Sequence, residues 1–203
     1  MASSTDTLSV KGFLLKILIW LPLTFVLWYF LTPAIVYLVA LLTKVVLSFV
    51  AGHAVINVEQ HEHVMHIITS FTKDAASKEN LTFVIDVMKY AYGLALFPAM
   101  VLATSKPWKD KFQDFYLGIL VIFLIILWGV SFDTMQTLVF KLGMDIGRTM
   151  GTTPFTRELI ALGYQMGYLI LPAVTPIILW FTMNQEQVIK LAPKFAAKKK
   201  NKS

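Results

Sequence analysis

The chain has 203 residues, of which 57% are hydrophobic and only 15% are charged. Soluble domains usually carry about 45–50% apolar and about 25% charged residues, so this composition is typical of an integral membrane protein. The chain has no cysteine, which excludes disulfides, thiolate metal sites and a cysteine nucleophile. The net charge of +6 comes mostly from a C-terminal lysine tail, which membrane topology explains better than nucleic-acid binding.

Four segments are long and apolar enough to cross a bilayer, because about 20 helical residues cover its ~30 Å hydrocarbon core. The first is interpreted as an uncleaved span, since its apolar run is longer than the core of a signal peptide. Tryptophan and tyrosine mark several span ends, as in the aromatic belts of membrane proteins. The predicted spans are residues 12–31, 87–104, 115–132 and 163–183.

A fifth apolar segment, residues 34–50, follows Thr32-Pro33 and contains Lys44. It fits either a second span after a tight turn or a helix that lies at the membrane surface. The positive-inside rule predicts that the basic tail, residues 184–203, is cytoplasmic, and the N-terminal flank as well. Two cytoplasmic ends require an even number of spans, which favours four over five. The cytoplasmic segments then hold eleven basic residues against four acids, and the outer segments seven against eight.

The first outer segment, residues 51–87, alternates apolar and polar side chains, which is the period of a half-buried strand. In the stretch "LTFVIDV", Phe83 and Ile85 face one way and Val84 and Asp86 the other. The stretches "AVINVE" and "VMHIITSFT" are rich in β-branched residues, and "QHEH" and "KDAASKEN" between the strands are turn-like. These patterns predict a three-stranded antiparallel sheet. Its apolar face is expected to pack on the 34–50 helix, on the second outer segment or on a partner.

The second outer segment, residues 133–162, has apolar residues at helical spacing until Pro154 ends the pattern. A further helix is predicted to start at Thr156 and to run into the last span. That span carries Pro172 and Pro176, which are expected to kink the helix. A role in helix packing is favoured for the two prolines over a transport site.

The stretch "VEQHEHVMH", residues 58–66, holds three histidines and two glutamates and is the main titratable cluster near neutral pH. In an extended strand His61 and His63 share a face, and His66 points the other way. Zinc and copper sites need three or four convergent ligands, so the metal candidates are His61, His63 and His66, with His53 nearby. The spacing matches no metal motif, and a polar hairpin turn is favoured. No other cofactor is predicted.

Catalytic motifs such as G-x-S-x-G, H-E-x-x-H and the P-loop are absent from the sequence. The second, third and fourth spans carry almost no ionisable residue between their flanks, which disfavours a pump, a carrier or an intramembrane protease. Tyrosines and small residues near the outer surface fit interface anchoring, or alternatively a seam that faces a partner. The candidate partner contacts are Tyr90, Tyr92, Gly163, Tyr164, Gln165, Gly167 and Tyr168.

Three segments, "FLLKILIWLPLTFVLWYFLTP", "MKYAYGLALFPAMVLA" and "ELIALGYQMGYLILPAVTPIILW", together resemble the exosortase H-associated membrane proteins of Gram-negative bacteria. The combination of Trp20-Leu21-Pro22, Tyr164-Gln165 and the Pro172/Pro176 pair carries the resemblance. It implies an inner-membrane protein that accompanies a sorting enzyme for proteins with a C-terminal sorting signal. The resemblance also implies that this enzyme uses a Cys-Arg-His arrangement. A chain without cysteine is therefore not the enzyme, and no catalytic residues carry over.

These observations predict a membrane α-helical fold with four transmembrane helices, or five as the alternative. A small extracytoplasmic cap adds three antiparallel strands and a helix. The predicted function is that of a non-enzymatic accessory protein of an exosortase-type sorting system in the bacterial inner membrane. Its expected partners are the bilayer and a membrane protein such as the sorting enzyme, but no nucleic acid. The rival hypotheses are a metal-handling accessory subunit and a structural subunit of a larger membrane complex.

Overall fold

A computed structural model describes residues 10–72, 79–142 and 144–191 of the chain. In these residues three helical stretches are long and apolar enough to cross a membrane. The second predicted span, residues 87–104, corresponds to a shorter apolar helical stretch, Met88–Ala103, of about 24 Å at 1.5 Å per residue. Most of the predicted turn "KDAASKEN" and of the basic tail lies outside the described residues. The three long stretches are Val10–Val50, Trp108–Lys141 and Pro154–Met183.

Helix α1, Val10–Val50, is one continuous helix of 41 residues. Of the two alternatives for residues 34–50, the one with a tight turn before them is therefore wrong, because the helix runs through Pro33 and these residues form its second half. A proline lacks the backbone donor of its position, and threonine hydroxyls help membrane helices to tolerate that loss. The Thr32 hydroxyl donates to the Trp28 carbonyl at 2.9 Å, one residue before the Tyr29 carbonyl that Pro33 leaves without its helical donor.

The three predicted strands are present and antiparallel, in the spatial order β1-β2-β3. A short 3₁₀ turn, Gly52–Ala54, connects α1 to β1. The strands are β1 (Val55–His61), β2 (Val64–Thr72) and β3 (Asn80–Asp86). The predicted small sheet is thus confirmed, with each strand within about a residue or two of its sequence pattern.

One face of the sheet is apolar and packs on the second half of α1. Met65 of β2 pairs in register with Ile85 of β3, and both side chains are buried. Two hydrogen bonds between β1 and α1 hold the sheet against the helix. The Lys44 ammonium donates to Asn57 Oδ1 at 2.8 Å, and the Gln60 amide donates to the backbone carbonyl of Pro33 at 3.2 Å. Of the three covers expected for the sheet, the structure therefore uses the helix of residues 34–50.

The stretch after the sheet forms α2 (Met88–Ala91) and α3 (Gly93–Ala103), interrupted only at Tyr92. Nine of the eleven residues of α3 are buried, because α1, α4 (Trp108–Gln136) and α7 (Leu171–Met183) surround this helix. A helix that is apolar on all sides is typically buried among other helices. This position explains how a span shorter than its neighbours fits the bundle.

The second outer segment is more helical than predicted, because α4 continues through a π-helical stretch, Thr137–Lys141. Helix α6 begins at Pro154, two residues before the predicted start. Thr153 explains this boundary, since its hydroxyl caps the helix by accepting from the Thr156 backbone N–H at 3.2 Å. The remaining helices are α5 (Met144–Thr149), α6 (Pro154–Gln165) and α8 (Gln185–Leu191).

The predicted irregularity of the last span is a π-helical stretch, Met166–Ile170, immediately before α7. Pro172 lies at the start of α7, where a missing backbone donor is tolerated. Pro176 is buried, and its ring lies 3.1 Å from the Cβ position of Gly93. The prolines therefore contribute to close packing between α7 and α3, as the packing interpretation predicted.

Candidate functional site: a buried carboxylate at one end of the bundle

A buried carboxylate lies where α4 leaves the predicted third span. Asp133 is only 2% exposed and directly follows Phe132, the last residue of that span. An unpaired carboxylate in an apolar interior is very costly, so buried carboxylates are normally paired and hydrogen-bonded. The neighbours of Asp133 therefore identify the elements that this group holds together.

Three side chains surround the carboxylate. The Tyr90 hydroxyl donates to Oδ2 of Asp133 at 2.9 Å. The Lys89 ammonium lies 3.4 Å from the same oxygen, and the Lys141 ammonium lies 3.8 Å from Oδ1. The lysine side chains remain 35% and 54% exposed, whereas that of Asp133 is 3% exposed. The cluster thus contains one shielded negative charge and two positive charges that reach toward solvent.

The side chains that surround Asp133 come from two parts of the chain. Lys89 and Tyr90 lie in α2, directly after β3, where Asp86 Oδ1 accepts the backbone N–H of Met88 at 2.9 Å. A carboxylate that binds a free backbone N–H stabilises the start of a helix. Lys141 ends the π-helical extension of α4, two helical turns after Asp133. The carboxylate therefore connects the junction between sheet and α2 to the far end of α4.

A glycine on α4 makes room for the tyrosine of this cluster. A Cβ atom at Gly129, one turn before Asp133, would overlap the ring of Tyr90. The Tyr90 ring also meets Tyr168 edge-to-face at 6.3 Å between centroids, and Tyr164 stacks on Tyr168 at 5.8 Å. Both ring arrangements are among the favoured aromatic geometries. Three of the tyrosines chosen from the sequence thus form one group beside the carboxylate.

The predicted seam of small residues is a contact within this chain. A Cβ atom at Gly163 would overlap the Phe132 ring, and one at Gly167 would lie 2.8 Å from Cα of Gly129. The Trp128 indole N–H donates to the carbonyl of Gly163 at 3.1 Å. Small residues allow helices to approach closely. Here they allow the stretch from α6 to α7 to pack against α4.

The seven residues that the sequence suggested as partner contacts differ in their exposure to solvent. Gln165 and Tyr168 are exposed and remain candidate contacts for a partner. Tyr92 and Tyr164 are half-buried. The other three, Tyr90, Gly163 and Gly167, are buried inside the bundle.

The hairpin changes the geometry of the histidine cluster. Glu62 and His63 form a two-residue turn, in which Glu62 adopts a left-handed backbone conformation with φ of 52°. The turn leaves His61 and His66 on the same face, with 4.4 Å between their ring centroids. His63 instead lies beside the Tyr29 ring at 5.9 Å. The pair expected from a continuous strand, His61 with His63, is therefore replaced by His61 with His66.

His61, His63 and His66 were the candidate metal ligands, as the alternative to the favoured polar hairpin turn, and these three side chains do not converge. In the residues that the structure describes, no group of three or more histidine, aspartate or glutamate side chains is arranged to hold a metal ion. His53 lies near the other end of β1, in the 3₁₀ turn before the strand. The hypothesis of a zinc or copper site stays a prediction that this geometry does not support.

The sequence reading missed the carboxylate cluster. Asp133 and Lys141 were assigned to the second outer segment, where a charge needs no partner, and Lys89 was assigned to the start of the predicted span of residues 87–104. Tyr90, which binds the carboxylate, was named as an interface anchor or a contact for a partner. A signal was nevertheless present, because Lys89 and Tyr90 lie inside the apolar run of residues 87–104. A lysine within such a run indicates a nearby acid.

A second polar layer closes the opposite end of the bundle. The Lys106 ammonium lies 2.8 Å from Asp114 Oδ2 and donates to the carbonyl of Met183 at 2.7 Å. The Trp180 indole N–H donates to the Thr104 hydroxyl, also at 2.7 Å. These bonds connect the loop before α4 to the end of α7. The bundle is therefore held by one ion-pair cluster at each end, with apolar packing between them.

The Asp133 cluster is suited to positioning helices, because both carboxylate oxygens are engaged and the group is shielded from solvent. A family model described as "Exosortase H-associated membrane protein" matches residues 7–187 of the 203-residue chain. That range covers all of the elements described above except the end of α8. No curated protein and no solved structure matches the chain.

Proposed function

We propose that this chain, which belongs to the exosortase H-associated membrane protein family, is a non-catalytic partner subunit of an exosortase-type sorting enzyme. The chain carries apolar helices that can cross a membrane, and the family name associates it with exosortase. Because the chain has no cysteine, it cannot supply a cysteine nucleophile. Its own contribution is then a binding surface in the membrane and beside it.

An exposed apolar stripe on α1 supports this proposal most directly. The stripe occupies the second half of the helix, and its members recur about every four residues, so they share one face. The opposite face, with Val36, Val39 and Leu47, is buried. Phe49 is 85% exposed and Leu41 is 54% exposed. We call Tyr37, Leu38, Leu41, Val45 and Phe49 the α1 stripe.

The hydrocarbon core of a bilayer can surround only part of the length of α1. The 41 residues of α1 measure about 61 Å, whereas the hydrocarbon core of a bilayer is ~30 Å thick. The half that carries the α1 stripe also carries the sheet, whose turn exposes His61 and Glu62. Charged and polar side chains of this kind are excluded from hydrocarbon. Contiguous apolar surface in water usually marks a site for another protein.

The two ion-pair layers support a specific placement in the membrane. Asp114 and Asp133 are 19 residues apart on α4, which corresponds to about 28 Å along the helix and to the thickness of the hydrocarbon core. We place the bilayer between these layers, with four crossings that include Met88–Ala103. The sheet then lies on the outer side of the inner membrane, and both chain ends are cytoplasmic.

Single cysteines test this placement, because the chain has none of its own. Ser70→Cys lies on the exposed part of β2, and Lys109→Cys lies at the exposed start of α4. In spheroplasts we expect a membrane-impermeant maleimide to label Ser70→Cys at once. Lys109→Cys should be labelled only after the membrane is permeabilised. Labelling of both positions in intact spheroplasts would contradict the four-span placement.

The α1 stripe should be needed for association with the sorting enzyme. We expect Leu41→Gln/Val45→Gln to lower recovery of the enzyme in mild-detergent co-purification by about tenfold, since core interface side chains contribute 1 kcal/mol or more each. Val84→Gln is the matched control, because Val84 and Val45 are both 53% exposed and Val84 lies on the outer face of the sheet. Equal recovery with the two variants, or no enzyme with the wild type, would count against the proposal.

A further inference from the structure

One edge of the sheet carries no partner strand. The spatial order β1-β2-β3 makes β1 and β3 the edge strands, and Asn57 and Gln60 hold β1 against α1. In the described ranges, no backbone group outside β2 forms a hydrogen bond with the backbone of β3. We call the edge of β3 that faces away from β2 the open edge. It presents unpaired backbone donors and acceptors, which a further strand can satisfy.

The hairpin between β1 and β2 shows which backbone groups point to the open edge. Its two-residue turn is closed by a hydrogen-bonded pair, His61 and Val64. Backbone groups alternate in direction along an antiparallel strand, so those of Val64 point to β1 and those of Met65 point to β3. Ile85 is the partner of Met65, so its backbone bonds to β2. The backbone N–H and C=O of Val84, one residue earlier, therefore point to the open edge.

A hydrogen bond between β2 and β3 agrees with this alternation. The Thr69 hydroxyl of β2 donates to the backbone carbonyl of Leu81 at 2.8 Å, so the backbone of Leu81 points to β2, as that of Ile85 does. The residues out of step with Leu81 have their backbone groups on the other side of the strand. The open edge is therefore formed by the backbone groups of Thr82, Val84 and Asp86.

The inner face of the sheet is incompletely covered along the same edge. Ile67 of the central strand is fully buried, whereas Leu81 and Phe83 of β3 are only half-buried. A further strand would place its own apolar side chains beside these two residues. Lysine and proline commonly protect the edge strands of natural sheets. The sequence of β3, "NLTFVID", contains neither residue, so its edge stays open to the addition of a strand.

Asp86 gives the open edge a negative charge at one end. It is the one charged residue of β3, and its side chain is exposed. Its Oδ1 accepts the Met88 backbone N–H, and none of the ion pairs among the described side chains includes it. Opposite charges that face each other on neighbouring strands stabilise the pairing. An antiparallel strand at the open edge therefore fits best with a basic residue near its N-terminus.

A second copy of this chain fits the open edge poorly. Two identical edges pair antiparallel about a two-fold axis that is perpendicular to the strands. β1 runs back beside α1, because Asn57 meets Lys44 and Gln60 meets the carbonyl of Pro33. The strands thus follow the direction of α1, which we place across the membrane. Two copies in one membrane are related by an axis along the membrane normal, and this axis would be parallel to the strands.

We propose that the open edge of β3 binds an extended segment of another protein as an added antiparallel strand. The backbone of this segment bonds to Thr82 and Val84, and a basic side chain lies opposite Asp86. Apolar side chains at every second position lie beside Phe83 on the inner face of the sheet. Backbone bonds supply affinity and the alternate side chains supply selectivity, as in other cases of strand addition. The site is distinct from the α1 stripe, and binding does not require the sorting enzyme.

A synthetic peptide, acetyl-Lys-Val-Thr-Val-Thr-Val-Thr with a C-terminal fluorescein, tests the site. In the proposed register its lysine lies opposite Asp86, and its first two threonines lie opposite Val84 and Thr82. We expect fluorescence anisotropy to show binding to the full chain in lipid nanodiscs. N-methylation of these two threonines should weaken binding about tenfold, because it removes two donors that face β3. N-methylation of the first two valines, whose N–H groups face away, is the matched control. Equal binding of the two methylated peptides would overturn the proposal.

Variants of the chain test the same edge from the other side. Val84→Pro removes a donor at the open edge and none that faces β2, so it should weaken binding of the peptide about fivefold. Val84→Thr keeps this donor and should bind like the wild type. A peptide with glutamate in place of lysine should bind more weakly to the wild type, but not to Asp86→Asn, than the lysine peptide does.

Two results with the chain variants would contradict the proposal. One is unchanged peptide binding by a folded Val84→Pro variant. The other is a dimer in native mass spectrometry that Val84→Pro abolishes, since a second copy would then occupy the edge. The methylated peptides are measured on the wild-type chain, so they decide the question even where Val84→Pro fails to fold.

Discussion

Replacement of both Lys89 and Lys141 by methionine is expected to destabilise the folded chain by about 3–5 kcal/mol, the cost of leaving a buried charge without its partners. Asp133, at 2% exposure, would keep only the hydrogen bond from Tyr90. The two lysines themselves are partly exposed, so their loss removes little packing. Unfolding by SDS in mixed micelles, followed by circular dichroism, measures the change in free energy.

Two comparisons distinguish a buried-charge effect from a general loss of lysine. Lys11→Met/Lys109→Met removes two exposed lysines and should change stability by less than about 1 kcal/mol. Adding Asp133→Asn to the Lys89→Met/Lys141→Met variant removes the orphaned charge and should restore a large part of the loss. If the triple variant were no more stable than the double variant, the ion-pair cluster would not be the reason for the destabilisation.

Gly118→Ala is expected to destabilise the bundle by about 1–3 kcal/mol, even though alanine is the better helix former. A Cβ atom at this position would overlap the ring of Phe97, which is fully buried, so the ring can yield only if its neighbours shift as well. At an unobstructed glycine in a helix the same substitution would raise stability by about 1 kcal/mol. The sign of the change in thermal unfolding temperature therefore reports the close contact between α3 and α4.

A smaller ring partner should rescue this substitution. Gly118→Ala/Phe97→Leu relieves the overlap, so it is expected to be more stable than Gly118→Ala alone. Phe97→Leu by itself is the reference, because it leaves a cavity of its own and should lower stability. A Gly118→Ala variant that unfolds at or above the wild-type temperature would show that α4 does not approach Phe97 as closely as described.

The shielded carboxylate and the exposed stripe have different roles in the proposed function. The Asp133 cluster holds β3, α2 and the end of α4 in fixed positions. The sheet in turn lies against the second half of α1 through Asn57 and Gln60. The α1 stripe is therefore presented on a helix that is supported on its other face. A partner that binds the stripe meets a rigid surface, which lowers the entropic cost of association.

Local sequence determined the elements that depend on near neighbours. Apolar runs of bilayer length marked the long helices, and period-two alternation gave the three strands, because both periods reflect which side chains share a face. The hairpin turn was also located correctly. The spacing of Gly163 and Gly167 correctly indicated a helix contact, but the sequence did not show that the contact is with Phe132 and Gly129 of the same chain.

Only the tertiary structure decided the features that depend on distant partners. Pro33 suggested a turn, yet α1 continues through it because the sheet and Gln60 support its second half. Asp133 was placed at the start of the second outer segment without a partner, since its partner Lys89 lies 44 positions away along the chain. His61 faces His66 only because the hairpin reverses the strand. A sequence shows which side chains need a partner, but the packing of whole faces selects which partner each side chain meets.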